Sequence, residues 1–283
     1  MRRSFRNTFV VALLTMAGVL AGAPPILAHE LPKRILAAGR LVIGTYPNYP
    51  PITYKDPYSM KLTGFDIELG EAIGRELGLS VEWQEIAFAQ MLPALKTGRV
   101  DMILAFMADT EKRRATFDFV DYLRSQAVVS VRAGDEARIT LATLCGKRIG
   151  ASRSGTWPSD IAAWSASNCE ARGEPGVIVA GTEGSFDARM QLRMGRLDAA
   201  IHGSETIAYF EKLEPGRYVP IGSPFPAKLV GIPFLKTGDG RLLRDAVKAA
   251  LERMLASGVY GGIVARYGVE HGALDAITVN AGQ

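Results

Sequence analysis

The sequence predicts an α/β protein made of two similar halves, each with a mostly parallel, doubly wound sheet. In the first half, residues 41–104 alternate in the order strand, helix, strand, helix, strand. A second alternation of the same kind restarts after Asp121 and runs to about residue 212. The two halves follow each other without a Gly/Ser-rich linker, which indicates lobes joined by strands rather than independent domains.

The first half opens with a short amphipathic helix at 31–38, which Gly39 ends, and an apolar, β-branched strand at 41–45. The next segment, YPNYPPITY at 46–54, contains prolines that forbid both a helix and a central strand. It carries tyrosines at the end of the first strand, where ligands bind in open α/β sheets. Apolar spacing then predicts a helix at 66–77, a strand at 79–85, a helix at 88–96 and a buried strand at 100–104.

The second half repeats the pattern over about 90 residues. Its predicted strands are 127–131, 148–151, 177–180 and 199–201, and its predicted helices are 141–144, 159–166, 186–194 and 205–212. A further strand at 229–235 and two helices at 241–256 and 260–267 complete the chain. The order of elements alone does not show which half these last helices join.

Residues 1–28 have the features of a cleaved secretory signal peptide. A basic start, MRRSFR, precedes an apolar run that is shorter than a bilayer span of roughly 20 residues, and the segment ends in Ile26-Leu27-Ala28. The alternative is an uncleaved anchor helix. Removal of residues 1–28 lowers the basic side chains from 33 to 30 against 29 acidic ones, so the mature chain is close to neutral. It also has no basic run that would indicate a nucleic-acid surface.

Export bears on the two cysteines, Cys145 and Cys169, because an oxidising compartment favours their pairing as a disulfide. Two buried free thiols are the alternative. The sequence has no CxxC motif, and its three histidines, His29, His202 and His271, are far apart, so we expect neither a metal site nor a cofactor.

Six motifs in order resemble those of the bacterial extracellular solute-binding proteins of family 3, the periplasmic components of polar amino acid ABC transporters. They are GFDIEL at 64–69, MLPALKTGRVDMI at 91–103, TEKRR at 110–114, GKRIGASRSGTW at 146–157, GRLDAAI at 195–201 and LERMLASGVYGGIVARYG at 251–268. The resemblance covers nearly all of the mature chain. It implies the type II fold of periplasmic binding proteins, in which two lobes joined by two hinge strands close on a ligand. It also implies a division into 29–125 (first lobe), 126–222 (second lobe) and 223–283, which returns to the first lobe.

The resemblance assigns the ligand's carboxylate to Arg113, three residues after Thr110 in the TEKR motif. A guanidinium offers a planar fork of donors that pairs bidentately with a carboxylate. Gly155 and Thr156 resemble the family's small and hydroxyl residues, which give backbone N–H groups and a hydroxyl to the same carboxylate. Read from the residues alone, Arg113 is instead a surface arginine opposite Glu111 or Asp109.

The sequence departs from the family where an amino acid's ammonium group is usually held. Tyr46 and Gly203 stand in place of the two usual acidic residues, and Phe106 and Ala108 replace a glycine-plus-hydroxyl pattern. Since burying an ammonium without a countercharge is costly, these changes argue against an ordinary α-amino acid bound in the usual way. The alternative is a shift of His202 or Glu205 into the site, where either would replace the missing acid.

Aromatic residues take the place of the lost polar groups. Tyr46, Tyr49, Phe88, Phe106 and Trp157 are expected to form walls that stack on a planar ring or surround an alkylated cation. The alternative for Phe106 and Trp157 is that each points into a lobe core.

The combined reading is a monomeric periplasmic receptor, not an enzyme, that delivers a small carboxylate-bearing solute to a membrane permease. One alternative is a secreted dehydratase on the same fold, acting on a cyclic carboxylate such as prephenate or arogenate, with Glu205 or His202 as the general acid. Another is a ligand-sensing partner of a membrane receptor or of a periplasmic dehydrogenase system, for which the sequence has no separate signature.

Overall fold

The computed structural model describes residues 30–282, so the predicted signal peptide and His29 lie outside the described residues. The helices are α1 (Lys33–Ala38), α2 (Phe65–Leu77), α3 (Phe88–Lys96), α4 (Glu111–Arg114), α5 (Trp157–Asn168), α6 (Ser185–Arg193), α7 (Ser204–Leu213), α8 (Gly238–Ala256) and α9 (Val259–Tyr267). The strands are β1 (Arg40–Thr45), β2 (Asn48–Tyr49), β3 (Thr53–Lys55), β4 (Leu62–Thr63), β5 (Ser80–Glu85), β6 (Met102–Ile103), β7 (Phe117–Ser125), β8 (Ala127–Arg132), β9 (Arg148–Ser152), β10 (Ile178–Thr182), β11 (Ala199–Gly203), β12 (Tyr218–Gly222), β13 (Lys228–Leu235) and β14 (Thr278–Val279). Within residues 30–282, no helix is both long and apolar enough to cross a membrane.

The first lobe is built on a parallel sheet in the order β5-β1-β6. Helix α2 covers it, and the glycine of the GFDIEL motif fixes how that helix starts. Gly64 has a φ of 125°, and a Cβ there would lie 2.3 Å from the Ile52 carbonyl oxygen. Only glycine fits such a conformation and such a close approach.

The C-terminal helices pack on this first lobe. Helix α8 buries one face through Leu243, Ala246, Val247, Ala250, Leu251 and Met254, which recur at the three- and four-residue spacing of an amphipathic helix. These side chains share a core with α2 and β1. The packing therefore shows that the last two helices belong to the first lobe, which the order of elements did not reveal.

The second lobe has a five-stranded sheet in the order β10-β9-β11-β8-β12. Strands β9, β10 and β11 are parallel, whereas β8 and β12 are antiparallel to their neighbours. A separate apolar core of β8, β9, β11 and α5 residues lies against it. The second sheet is thus mixed, because β8, the strand that enters from the hinge, runs opposite to the other four strands.

Two antiparallel strands, β7 and β13, join the lobes. They pair along their whole length, from Lys228 opposite Ser125 to Leu235 opposite Phe117. β7 continues directly into β8 through Gln126, and the chain returns from β12 to β13 through residues 223–227. The chain therefore crosses between the lobes twice, as the resemblance implies for a two-lobed binding protein.

Four parts of the first half differ from the sequence predictions. Strand β7 was not predicted, because Asp118 and Asp121 interrupt its apolar pattern; both carboxylates are buried and accept hydrogen bonds from Asn280 and Thr278. The tyrosine segment contributes β2 and β3 to a small antiparallel sheet with β4 instead of forming a loop. Pro50 and Pro51 lie in the turn between β2 and β3, and Pro47 precedes β2. Strand β6 is shorter than predicted, and helix α4 was not predicted as an element.

The predicted disulfide between Cys145 and Cys169 is confirmed. Their Cα atoms are 5.5 Å apart, and the bond ties the start of β9 to the end of α5 across a sequence separation of 24 residues. Cys169 is fully buried. The bond lies in the second lobe, and neither cysteine lines the cleft described next.

Candidate functional site

A cleft of about 240 Å³ lies between the two lobes. Both lobes and the hinge strands contribute to its walls, including Tyr46, Asn48, Tyr49, Phe88, Phe106, Ala108, Arg113, Ser125, Ser152, Ser154, Gly155, Thr156, Trp157, Asp160, Glu183, Phe225 and Lys228. Nine of the ten ligand-binding residues predicted from the sequence are among them. The exception is Gly203, which the structure places outside the lining.

Aromatic side chains form much of the first-lobe wall. The rings of Tyr49 and Phe106 pack with centroids 5.5 Å apart. Phe106 has a φ of 52°, an uncommon conformation for an aromatic residue, and its N–H donates to Asp66 Oδ2 at 3.0 Å. Phe106 both lines the cleft and packs on the first-lobe core, and Trp157 does the same in the second lobe. Both residues therefore combine a place in the cleft wall with packing on a lobe core, and their stacking on a ligand stays a prediction.

Arg113 brings a half-buried cation to the cleft. Its Nη1 donates to the Ala108 carbonyl oxygen at 2.7 Å, and its guanidinium lies 5.9 Å from the centre of the Phe88 ring. Burial lowers the pKa of Arg113. Asp109, one of the two acids considered as a surface partner, instead pairs with Arg114 at 3.1 Å. Within residues 30–282, no carboxylate oxygen lies within 4.0 Å of the Arg113 guanidinium.

Two groups in the loop before α5 already form hydrogen bonds within the protein. The Gly155 N–H donates to the Ser152 carbonyl oxygen at 3.1 Å, so this predicted donor is already engaged. The Thr156 hydroxyl oxygen accepts from Lys228 Nζ at 3.0 Å. Lys228 Nζ also donates to Asp160 Oδ2 at 2.5 Å. A lysine from the hinge thus reaches the second-lobe side of the cleft.

Glu205 is a buried carboxyl between the lobes. It accepts from Tyr49 Oη at 2.5 Å, across the interface, and from Ser125 Oγ at 2.9 Å. It is 1% exposed, and burial raises its pKa to about 7. A Cβ at Gly203 would lie 1.7 Å from Glu205 Oε1. Gly203 therefore provides the space in which the Glu205 carboxyl sits, rather than part of the cleft wall.

His202 does not replace a missing ligand group either. It lies in the second-lobe interior, 2% exposed, with its ring 5.3 Å from that of Phe210. Burial and the nearby Arg189 lower its pKa to about 3, so the imidazole is neutral. Neither His202 nor Glu205 is part of the cleft lining.

Comparison of the sequence with models of known protein families identifies the family of this chain. The family model for bacterial extracellular solute-binding proteins, family 3, matches residues 41–270. The chain belongs to this family.

Relatives with known names support the assignment. This family 3 protein is 31% identical to the L-arginine-binding protein of Pseudomonas aeruginosa, over 91% of this chain and 95% of that one. It is 28% identical to the arginine-binding protein ArgT of Corynebacterium glutamicum, over 90% of this chain and 83% of that one. Identity to the histidine-binding periplasmic protein of Salmonella typhimurium is 27%, over 81% of this chain and 87% of the relative.

Solved structures of the same architecture resemble it closely. An ancestral arginine-binding protein bound to arginine has a TM-score of 0.71 at 29% identity, covering 81% of this chain and 98% of that one. An ancestral amino-acid-binding protein, described as a precursor of cyclohexadienyl dehydratase, has a TM-score of 0.71 at 26% identity, covering 83% and 97% of the two chains. The fold is therefore that of the two-lobed binding proteins.

Sequence reasoning missed several polar residues of this family 3 protein's cleft. Ser125 and Lys228 face each other at the ends of the hinge strands, and the sequence prediction began the second strand one residue too late to include Lys228. Asp160 lies four residues after Thr156 at the start of α5, a spacing that places both on one helix face. That spacing was the available signal for Asp160.

Glu205 makes the stability of this family 3 protein depend on pH. Burial raises its pKa from 4.5 to about 7, so the folded state binds this proton more tightly than the unfolded chain does. Its contribution to stability is fully present below about pH 4.5 and is lost as pH rises towards about 7. Glutamine resembles the protonated carboxyl, so Glu205→Gln should reduce the fall in melting temperature between about pH 5 and about pH 8. Part of the fall should persist, because burial also raises the pKa of Asp66 to about 7.

Melting curves of wild type and Glu205→Gln across this pH range provide the measurement. Glu211→Gln is the matched control, since Glu211 lies on the same helix and is exposed. The control should follow the wild-type profile. Superimposable profiles for wild type and Glu205→Gln would show that this carboxyl does not titrate as described.

Proposed function

We propose that this protein is the solute-binding component of an ABC importer. In this role it captures a small carboxylate-bearing solute, such as an amino acid derivative, between its lobes in the periplasm and delivers it to a membrane permease. The observation that carries the proposal is Arg113, a half-buried guanidinium that lines the cleft and has no carboxylate oxygen within 4.0 Å among residues 30–282. Burying a cation without a countercharge is costly, so the site favours an anion at this point.

Hinge closure is the proposed means of capture. The two crossings at Gln126 and at residues 223–227 are where the lobes would rotate, which corresponds to lobes of 29–125 with 223–283 and of 126–222. Two direct contacts would form on closure: Tyr49 with Glu205, and Asn48 Nδ2 with the Glu183 carbonyl oxygen at 3.0 Å. A solute that contacts both lobes would then bind the closed state more tightly and shift the equilibrium towards it.

The names of the relatives support a solute of the amino acid class, since arginine- and histidine-binding proteins are among them. The aromatic wall and the absence of an acid at Tyr46 support a solute that is more apolar near its ammonium position, or that lacks a free ammonium. Tyr49, Phe88, Phe106 and Trp157 would contact its body, while Arg113 would hold its carboxylate.

The dehydratase alternative receives less support from the geometry. Its two candidate acids, Glu205 and His202, lie outside the cleft lining, and Glu205 is held by Tyr49 and Ser125. A general acid must come within hydrogen-bond reach of the reacting group. Incubating the protein with prephenate should therefore yield no aromatic product.

A thermal-shift panel tests the proposed function. It would contain L-arginine, L-histidine, L-glutamine, L-phenylalanine, their N-acetyl and 2-oxo counterparts, glycine betaine, and the primary amide of each acid. At about 100 times its Kd, a bound carboxylate should stabilise the fold by about 2.7 kcal/mol, raising the melting temperature by about 5–10 °C. The amides should have little effect. A panel in which no carboxylate raises the melting temperature, or in which amides act equally, would contradict the proposal.

A further inference from the structure

Lys228, Asp160 and Thr156 form a polar cluster on the second-lobe side of the cleft, here called the lysine cluster. Lys228 Nζ lies 2.5 Å from Asp160 Oδ2 and 3.0 Å from Thr156 Oγ1. The Lys228 side chain is 18% exposed and that of Asp160 is 25% exposed. All three residues line the same cleft as Arg113. The cluster is therefore accessible to a bound solute but largely shielded from bulk water.

The lysine cluster presents donors to the cleft. An ammonium group carries three N–H donors, of which two point to Asp160 and Thr156, so one remains. The Thr156 oxygen accepts from Lys228, which leaves its own O–H free to donate. A solute group placed here meets two donors and needs acceptor oxygens.

The charge balance of the cleft points to the same chemistry. Among the described residues, the charged side chains that line it are Arg113, Asp160, Glu183 and Lys228. Glu183 is at the rim and pairs with the exposed Arg153 at 3.0 Å, and Asp160 pairs with Lys228. Arg113 is left without an ion-pair partner among the described residues, and only the buried Asp109, which pairs with Arg114, lies close enough to favour its charge. A solute with a net charge of minus one neutralises the cleft, whereas a zwitterion leaves it positive.

The other nearby carboxyls are not available to an ammonium group. Glu205 is enclosed behind Tyr49, and Asp66 is fully buried, accepting from the Phe106 N–H and from Tyr122 Oη at 2.8 Å. Neither lines the cleft. Of the two carboxylates that line the cleft, Glu183 is exposed and paired with Arg153. The other, Asp160, could bind a free ammonium only by separating from Lys228, which would leave a second cation unpaired.

We propose that the solute is a monoanionic carboxylate that carries an acceptor oxygen, from an oxo, hydroxyl or acyl group, where an amino acid carries its ammonium. Arg113 holds the carboxylate, and the lysine cluster donates to the acceptor oxygen. Lys228 is thus a specificity-determining residue. This inference rests on the proposed function and narrows its class of solute.

Titration calorimetry with matched compounds tests the inference on the full mature chain. The compounds are L-phenylalanine, phenylpyruvate and N-acetyl-L-phenylalanine, with the corresponding trios built on arginine and glutamine. In at least one trio, the oxo or acetyl compound should bind wild type about 10-fold or more tightly than the free amino acid, because its acceptor gains a charged donor and no ammonium is buried. The oxo and acetyl arms distinguish a small from a large acceptor group.

Two variants test which residue of the lysine cluster sets the preference for the oxo or acetyl compound. Lys228→Met removes the donor and frees Asp160, so the preference should fall roughly 10-fold or invert. Asp160→Asn removes the one carboxylate an ammonium could reach, so the preference should be kept or increase. A purely structural role for the cluster would weaken all compounds of a trio equally. If Lys228→Met does not fold, Asp160→Asn still tests the inference, because a loss of the preference for the oxo or acetyl compound in that variant would contradict it.

The outcomes separate this inference from the proposed function. If free amino acids bind wild type more tightly than their oxo and acetyl counterparts, and Asp160→Asn abolishes their binding, the inference is overturned while carboxylate capture stands. Unchanged preference in both variants would also overturn it. If no compound of either kind binds, the proposed function itself fails.

Discussion

Replacing Arg113 by glutamine is expected to weaken binding of phenylpyruvate, or of whichever panel carboxylate stabilises the protein most, by at least about 30-fold. Removing one partner of a buried, hydrogen-bonded ion pair costs about 2–5 kcal/mol, and each 1.4 kcal/mol is tenfold in affinity. The unliganded protein should lose little stability, since burial disfavours the charged guanidinium, whose one hydrogen bond within residues 30–282 is to the Ala108 carbonyl. Titration calorimetry and melting curves of the same variant measure both effects.

Lys112→Gln is the matched control for Arg113→Gln. Lys112 lies one residue earlier in α4, is exposed and does not line the cleft. It removes the same charge from the same helix without touching the site. Equal affinities in wild type and Arg113→Gln would contradict the role of Arg113, whereas equal losses in both variants would indicate a general effect of charge.

Loss of the Cys145–Cys169 disulfide is expected to have the largest effect on stability. The bond closes a loop of about 25 residues, for which the chain-entropy model gives about 3.5 kcal/mol. Replacing both cysteines by serine should therefore lower the melting temperature by about 7–14 °C in a chain of this size. Solute affinity should be retained, because neither cysteine lines the cleft. Differential scanning calorimetry measures the change.

Reduced wild-type protein is the control for this variant. Adding dithiothreitol should lower the wild-type melting temperature to that of the double serine variant and leave the variant itself unchanged. A double variant that melts within about 1 °C of the oxidised wild type would show that the loop contributes little. Such a result would mean that the unfolded chain is already restricted over this segment.

The sequence predicted the fold class well because its elements are marked by local patterns. Apolar spacing and terminal glycines fix α2 and α8, and continuous apolar runs fix β1 and β11. The prediction failed at β7, where buried carboxylates break the apolar pattern of a strand. Asp121 Oδ2 accepts hydrogen bonds from Thr278 and Ala281, more than 150 residues away along the chain, and no local pattern reveals such partners.

The candidate site was predicted in outline but not in its polar contacts. The motifs located Arg113 and the loop before α5, and the departures at Tyr46 and Phe106 located an aromatic wall. The Lys228–Asp160 pair joins residues 68 positions apart, so it depends on how β13 and α5 meet in three dimensions. Gly203 was misplaced for a similar reason, since the side chain that occupies its space comes from Glu205 two residues later.

The measurement that tests capture of a carboxylate by Arg113 most directly is a thermodynamic cycle that changes one ligand group and one residue. Calorimetry would compare the most stabilising panel carboxylate with its primary amide, on wild type and on Arg113→Gln. If the carboxylate contacts Arg113, the acid should bind wild type about 30-fold or more tightly than the amide, and this ratio should fall to near one in the variant. A ratio that is the same in both proteins would show that Arg113 does not hold the carboxylate.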